Sequence, residues 1–300
     1  MQQSPIDFHS GIFTYSPDLE PIQVRGYNLS ASQKLSLTND GHAVKVLLPP
    51  TMQLVSMSHR YTAVQLHLHW GSEKEPMGSE HTISGRHYPS EMHIVHYNSE
   101  KYENISVAQD KVDGLAVLGI LIQIGPFNPA YNCIFQHLKV IQYKGERILI
   151  PGFNINDLLP HRLNEYFSYH GSLTTPPCYP SVQWTVFREP VQISSEQLLE
   201  LESDLYFSNM DEWNRTDMVN NYRHVQELGE REVLISFQES VNVDHSLTPG
   251  VILIIVLTCG VAVAIILSVT LLLLKKRAGK IEERAVIYEA ALAADEPSQA

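Results

Sequence analysis

The chain has 300 residues, a 44% hydrophobic and 18% charged composition and a formal net charge of −12. That length accommodates one or two domains, and the apolar fraction describes a folded protein. The acidic balance argues against a nucleic-acid partner.

The acidity is unevenly spread. Residues 275–300 carry five Lys/Arg and five Asp/Glu, and residues 251–274 carry no charge, so the excess belongs to residues 1–250. Within 1–238 there is no repeat and no long linker. Turn-rich patches separate strand-like runs at Ala43–Leu48, Thr62–Trp70, Glu91–Tyr97, Leu115–Ile124, Val182–Phe187 and Glu232–Phe237. The run 115–124 is almost continuously apolar and is expected as a central strand buried on both faces. Helix is expected over Tyr131–Tyr143. Another is expected from Ser194, where Ser-Ser-Glu-Gln before Leu-Leu reads as a capping box. The predicted fold class is α+β, dominated by a sheet.

The second run reads Gln65-Leu66-His67-Leu68-His69-Trp70. Side chains two apart on a strand share a face, so both imidazoles point the same way. His93 lies in the next run, and the 23 residues between it and His69 are enough chain to turn back alongside. Three neutral imidazoles suit a zinc ion, and three ligands rather than four leave a position for water. Gln65 shares the face of His67, and Glu91 that of His93. Ligating imidazoles usually give their other N–H to such acceptors. His81, His87, His96, His137, His161, His170 and His224 lack such context and read as structural or surface residues.

Three Asn-x-Ser/Thr sequons, at Asn28, Asn104 and Asn214, precede the uncharged run and none follows it. They are glycosylation candidates of an exported domain. Residues 239–250 read as a stalk. The 24 residues 251–274 would form a helix of about 36 Å, against a hydrocarbon core of about 30 Å, and are expected to span a membrane. Lys275-Lys276-Arg277 directly afterwards orient 275–300 as a cytoplasmic tail and the large domain outside, a single-pass plasma-membrane arrangement. Gly260 and Ala264 give a small-xxx-small spacing compatible with a homodimer. The opening Met-Gln-Gln-Ser-Pro-Ile-Asp has no secretory-signal pattern, so either the span itself directs insertion or, as is expected here, an N-terminal segment is missing. Of three cysteines, Cys259 is in the span, and a Cys133–Cys178 pair stays open.

Several motifs in order resemble the α-class carbonic anhydrases of the membrane-anchored vertebrate type. They are Gln3-Ser4-Pro5-Ile6-Asp7, Asn39-Asp40-Gly41-His42, Gln65 to Gly71, Gly78-Ser79-Glu80-His81, Glu91-Met92-His93 and Gly171-Ser172-Leu173-Thr174-Thr175-Pro176-Pro177. The resemblance runs to about Phe237. It implies a large, twisted, mostly antiparallel sheet with zinc at the bottom of a conical cleft, and reversible hydration of CO2 to bicarbonate and a proton. It implies Zn2+ on His67, His69 and His93, with Thr174 orienting the nucleophile and Glu80 accepting from Thr174. It further implies a CO2 pocket of Val95, Val117, Leu173, Thr175, Val182 and Trp184, and His42 as proton shuttle. The resemblance also implies an N-terminal arm ahead of Gln3, and its absence here is the expectation; in exported members that arm carries a cysteine that pairs at the position of Cys178. Asp40 and Lys45 sit where some relatives have neutral amides lining the cleft, which implies altered proton transfer or inhibitor contacts rather than lost activity. A weakened or inactive binding module, owing to the missing arm, is the alternative reading.

Overall fold

The computed structural model describes residues 2–55, 57, 59–203, 205–238, 257–258, 260–277 and 280. The chain divides into two compact units, Met1–Gln238 and Glu239–Ala300.

In the first unit a 13-stranded sheet carries the fold. Its main path runs Arg147–Pro151, Lys34–Asn39, Val44–Leu47, Tyr61–Trp70, Ser90–Asn98, Leu115–Ile124, Val182–Phe187, Tyr166–Gly171, Val233–Ile235 and Phe13–Tyr15. Most neighbours are antiparallel. The parallel pairs in it join Leu115–Ile124 to Val182–Phe187 and to Val191–Ile193, and Val233–Ile235 to Phe13–Tyr15.

Alternation sorts the side chains of the central strands into two cores. Leu66, Leu68, Met92, Ile94, Leu118 and Ile120 enter the larger cluster on one face. Val95, Val117, Leu121, Val182 and Trp184 enter the second, on the other face. Leu115–Ile124 thus feeds apolar residues to both sides, which is why its sequence does not alternate. Each fully buried aliphatic side chain contributes about 1.5–3 kcal/mol of transfer free energy.

A bulge falls between Ala63 and Gln65, where the register against Ser90–Asn98 shifts. It lets Tyr61 and Ala63 join the same core as Leu66 and Leu68, although their spacing is odd against even. Gln65, His67 and His69 are thereby left on the opposite face.

Of the expected strands, Leu115–Ile124 and Val182–Phe187 form with the expected bounds and the others with end shifts of one or two residues. The strands Lys34–Asn39, Arg147–Pro151 and Tyr166–Gly171 were not among those expected. The helix expected over 131–143 is shorter, at Pro129–Phe135, followed by a 3₁₀ turn Leu138–Val140. Asn128 caps it and Pro129 opens it. The capping box at Ser194 forms: its hydroxyl accepts from Gln197 N–H and the Gln197 side chain accepts from Ser194 N–H.

Cys133 and Cys178 are free thiols, so they do not pair with each other. The stalk 239–250, residues 251–256 and 281–300 lie outside the described residues. Residues 260–277 are helical. Among the described residues, no helix is long and apolar enough to cross a membrane.

Candidate metal centre

His67 and His93 face each other directly across the ladder, and His69 is paired with Glu91. Directly opposed residues hold their Cβ atoms about 4.5–5.5 Å apart. The three rings close into a triangle, with centroids 4.9 Å (His67–His69), 5.2 Å (His67–His93) and 4.7 Å (His69–His93) apart. One ligand atom from each lies within 4.8 Å of the others.

The outer nitrogens settle the tautomers. His67 Nδ1 meets Gln65 Oε1 at 2.9 Å, His69 Nδ1 meets the Asn221 carbonyl at 2.8 Å, and His93 Nε2 meets Glu91 Oε1 at 2.7 Å. All three partners accept only, so each ring donates there. Burial, then the neighbouring imidazoles and Lys45, hold His67 well below its ordinary pKa. Burial also lowers His93 against the opposing pull of Glu91. A neutral ring has one N–H and spends it outward. The inward atoms, His67 Nε2, His69 Nε2 and His93 Nδ1, then present lone pairs to a common centre.

His69 Nε2 and His93 Nδ1 are 3.2 Å apart. Two lone pairs at that distance repel, and a cation shared between them turns repulsion into ligation. The donor set therefore fits a divalent ion that accepts imidazole, zinc foremost.

Glu91 is fully buried. Burial pushes its pKa up, but the adjoining imidazoles of His81 and His93, and the hydrogen bonds they make to it, outweigh that and hold it well below the usual carboxylate range. His81 was read as structural or surface; it is fully buried and its ring meets Glu91 Oε1 at 2.7 Å and the Tyr169 hydroxyl at 2.7 Å. Tyr169 O–H continues to Ser4 Oγ at 2.8 Å. The carboxylate that orients His93 is itself held from behind.

Glu80 is 1% exposed. Its Oε1 accepts from Arg223 N–H at 2.9 Å, and its Oε2 is buried without a partner. Among the described hydrogen bonds none joins Thr174 to Glu80. Thr174 is half-buried in the wall of a cavity of about 160 Å³. That cavity is lined by Gln65, His67, His93, Val95, Val117, Leu173, Thr174, Thr175 and Trp184, together with Ile105, Gln109 and Leu115, which sequence reasoning missed. Val182 is fully buried beside Leu115 in the neighbouring strand and in the same apolar cluster, but it does not line the cavity.

His42 is exposed on the turn that ends Lys34–Asn39. Its N–H donates to Asp40 Oδ1 at 2.9 Å, and its carbonyl accepts from Asn221 Nδ2 at 3.1 Å. Asp40 also pairs with Lys45, the residue opposite His67. Burial works against the Asp40 carboxylate, yet Lys45 and the turn's N–H groups hold its pKa below the ordinary value. Asn28, Asn104 and Asn214 are all exposed.

Comparison with known proteins matches residues 1–237 to the family model of the eukaryotic-type carbonic anhydrases. Carbonic anhydrase 12 of Homo sapiens is 50% identical over 291 residues, 96% of this chain and 82% of that protein. Carbonic anhydrase 6 of Homo sapiens is 40% identical over 240 residues, 79% of this chain and 76% of that protein. Carbonic anhydrase 7 of Mus musculus is 40% identical over 242 residues, 79% of this chain and 89% of that protein. With the family model matched over residues 1–237 and relatives at 40–50% identity, this chain belongs to the eukaryotic-type carbonic anhydrase family.

Proposed function

We propose that the chain catalyses the reversible hydration of CO2 to bicarbonate and a proton, with zinc held by His67, His69 and His93. One observation carries the reading: three rings whose outward N–H groups are all spent on Gln65, Asn221 and Glu91, leaving three lone pairs aimed inward. Bound zinc supplies the Lewis acidity that lowers the pKa of water in the cleft.

The protein's own residues supply the rest. Gln65, the Asn221 carbonyl and Glu91 fix ring orientation and tautomer. Val95, Val117, Leu173 and Trp184 present an apolar wall against which CO2 rests, and Thr175 lines the same cavity. Val182 is buried in the same apolar cluster, beside Leu115 of that wall. Thr174 accepts the nucleophile's proton in a hydrogen bond and turns its own O–H toward Glu80. The unpartnered, buried Oε2 of Glu80 is the acceptor this relay needs. His42 carries the proton away from the cleft; it is exposed, and an imidazole exchanges protons readily near neutral pH.

In this reading residues 251–274 anchor the enzyme in the plasma membrane and Lys275-Lys276-Arg277 keep the tail cytoplasmic, so the catalytic unit faces outward. The similarity to human carbonic anhydrase 12 extends well past residue 237, which supports treating the C-terminal segment as part of the enzyme. The exposed sequons Asn28, Asn104 and Asn214 fit an outward-facing, glycosylated unit.

The test pairs zinc content with CO2 hydration rate. Wild type should bind one zinc and turn over; His93→Ala should lose both. Thr174→Ala should keep zinc and lose turnover by roughly 10²-fold, the scale of a positioned proton-transfer group. Full zinc and full rate in His93→Ala would remove the ligand assignment, and an unchanged rate in Thr174→Ala would remove the relay.

A further inference from the structure

Asn221 occupies a position that sequence reasoning did not single out. The strand Val44–Leu47 pairs with the His67 strand only as far as Lys45 opposite His67. Beyond that point Leu68 C=O and Trp70 N–H need another partner, because buried backbone groups left unpaired are costly. The Asn221 side chain takes that place. Its Oδ1 accepts from Trp70 N–H at 2.8 Å, and its Nδ2 donates to Leu68 O at 3.2 Å. The other Nδ2 hydrogen goes to the His42 carbonyl at 3.1 Å. All amide hydrogens are thereby used.

The same residue's backbone carbonyl accepts from His69 Nδ1 at 2.8 Å. One residue therefore touches the turn bearing His42 and the strand bearing His67 and His69. The preceding residue, Asn220, holds a left-handed φ of 55°, and its N–H donates to Gly71 O at 3.0 Å. That kink lays Asn221 against the strand end. On its far flank the turn is held by Asp40, which accepts from His42 and Ala43 N–H and pairs with Lys45.

We propose that Asn221 is a positioning residue that straps the His42 turn to the metal-binding strand, setting the distance a proton must cross. The inference rests on the carbonic anhydrase reading and on His42 as the proton carrier. Losing the strap lets the turn shift without removing a metal ligand. Proton export then slows, while the steps from free enzyme through CO2 conversion do not.

The test is Asn221→Asp in the zinc-loaded protein. The carboxylate still accepts from Trp70 N–H, and the main-chain bond to His69 stays, but its second oxygen faces the Leu68 and His42 carbonyls and cannot donate. We expect kcat to fall about tenfold while kcat/KM stays within about twofold, because only kcat contains steps after product formation. Added imidazole buffer should restore most of kcat by carrying the proton itself. Zinc content should stay at one per chain. Asn221→Ala, which removes the donors without adding charge, should show the same split. A full kcat in both variants overturns the strap. Equal losses in kcat and kcat/KM without imidazole rescue also overturn it, since a merely structural role behaves that way. His42→Ala in the same assay separates the two layers. If it keeps full kcat, the shuttle reading falls and the strap with it; if it loses kcat while Asn221→Asp does not, only the strap falls.

Discussion

His96 sits in the strand that bears His93 but turns to the opposite core, fully buried. Its Nε2 meets the Tyr27 hydroxyl at 2.6 Å, and its Nδ1 meets the Ala116 carbonyl at 3.2 Å. The carbonyl only accepts, so Nδ1 carries the hydrogen and Tyr27 O–H donates to Nε2. A second proton would displace that donor and bury a charge. Burial accordingly lowers the His96 pKa from 6.5 to about 4. The unfolded chain takes up this proton below about pH 6.5, and the folded chain does so only near pH 4. Stability therefore falls as pH drops through that window, by about 1.4 kcal/mol per unit and about 3 kcal/mol in total. At equal zinc loading, His96→Gln should lose about 2 kcal/mol less than wild type between pH 7 and pH 5 in urea unfolding. Equal pH slopes in the two proteins would show that His96 does not carry this linkage. Sequence reading left His96 as a structural or surface residue because nothing local distinguishes it; its partners are Tyr27, from a loop far away in the chain, and Ala116, the residue opposite it in the neighbouring strand.

Elements place the site through register rather than through any single contact. The His-x-His run and the Glu-Met-His run were legible because period-two alternation fixes which side chains share a face. The bulge between Ala63 and Gln65 was not legible, since Thr62–Trp70 reads as one uninterrupted strand. Nor was the end of the 131–143 helix, because a 3₁₀ turn keeps Leu138 and Ile141 buried much as another helical turn would. Asn221 and Arg223 reach the site from more than 140 residues away, so no motif spacing points to them. Gly119 is a further element-level constraint. It lies opposite His93 in the ladder, and a Cβ there would sit 3.0 Å from Val186 Cγ2 and 3.3 Å from Glu91 Oε1. Val186 is fully buried, and that Glu91 oxygen is already held by His81 and His93 at 2.7 Å each. Gly119→Ala must displace one of them by a few tenths of an ångström. Residues that orient a ligating imidazole typically cost 10–100-fold in metal affinity when disturbed. We expect zinc affinity of Gly119→Ala to fall at least about tenfold in a chelator competition, with the far-ultraviolet spectrum retained. Unchanged affinity would mean that the Glu91 carboxylate has slack the geometry does not show.

For the whole molecule, composition leads us to expect different solvents for the two parts of the chain. Met1–Gln238 holds both apolar clusters and every residue of the candidate site, and the family match ends at residue 237. It should fold and bind zinc by itself. Residues 251–274 have the opposite character: no charge, and seventeen Leu, Ile or Val among 24. At about 0.3–0.6 kcal/mol each, those side chains favour insertion by roughly 5–10 kcal/mol, an upper figure because the values apply at the bilayer centre. Charge–surface attraction cannot substitute for this. Anionic lipids attract basic residues, and residues 1–238 are acidic overall, so any salt-sensitive association of that unit should be weak. We therefore expect the full chain, expressed in cells, to stay with the membrane pellet through high-salt and alkaline washes and to be released only by detergent. Residues 1–238, given the same route of export, should appear in the soluble fraction with one zinc per chain and full CO2 hydration activity. Release of the full chain by salt or alkali would show that 251–274 does not insert. A soluble but zinc-free 1–238 unit would show that the metal centre needs more of the chain than the two cores enclose.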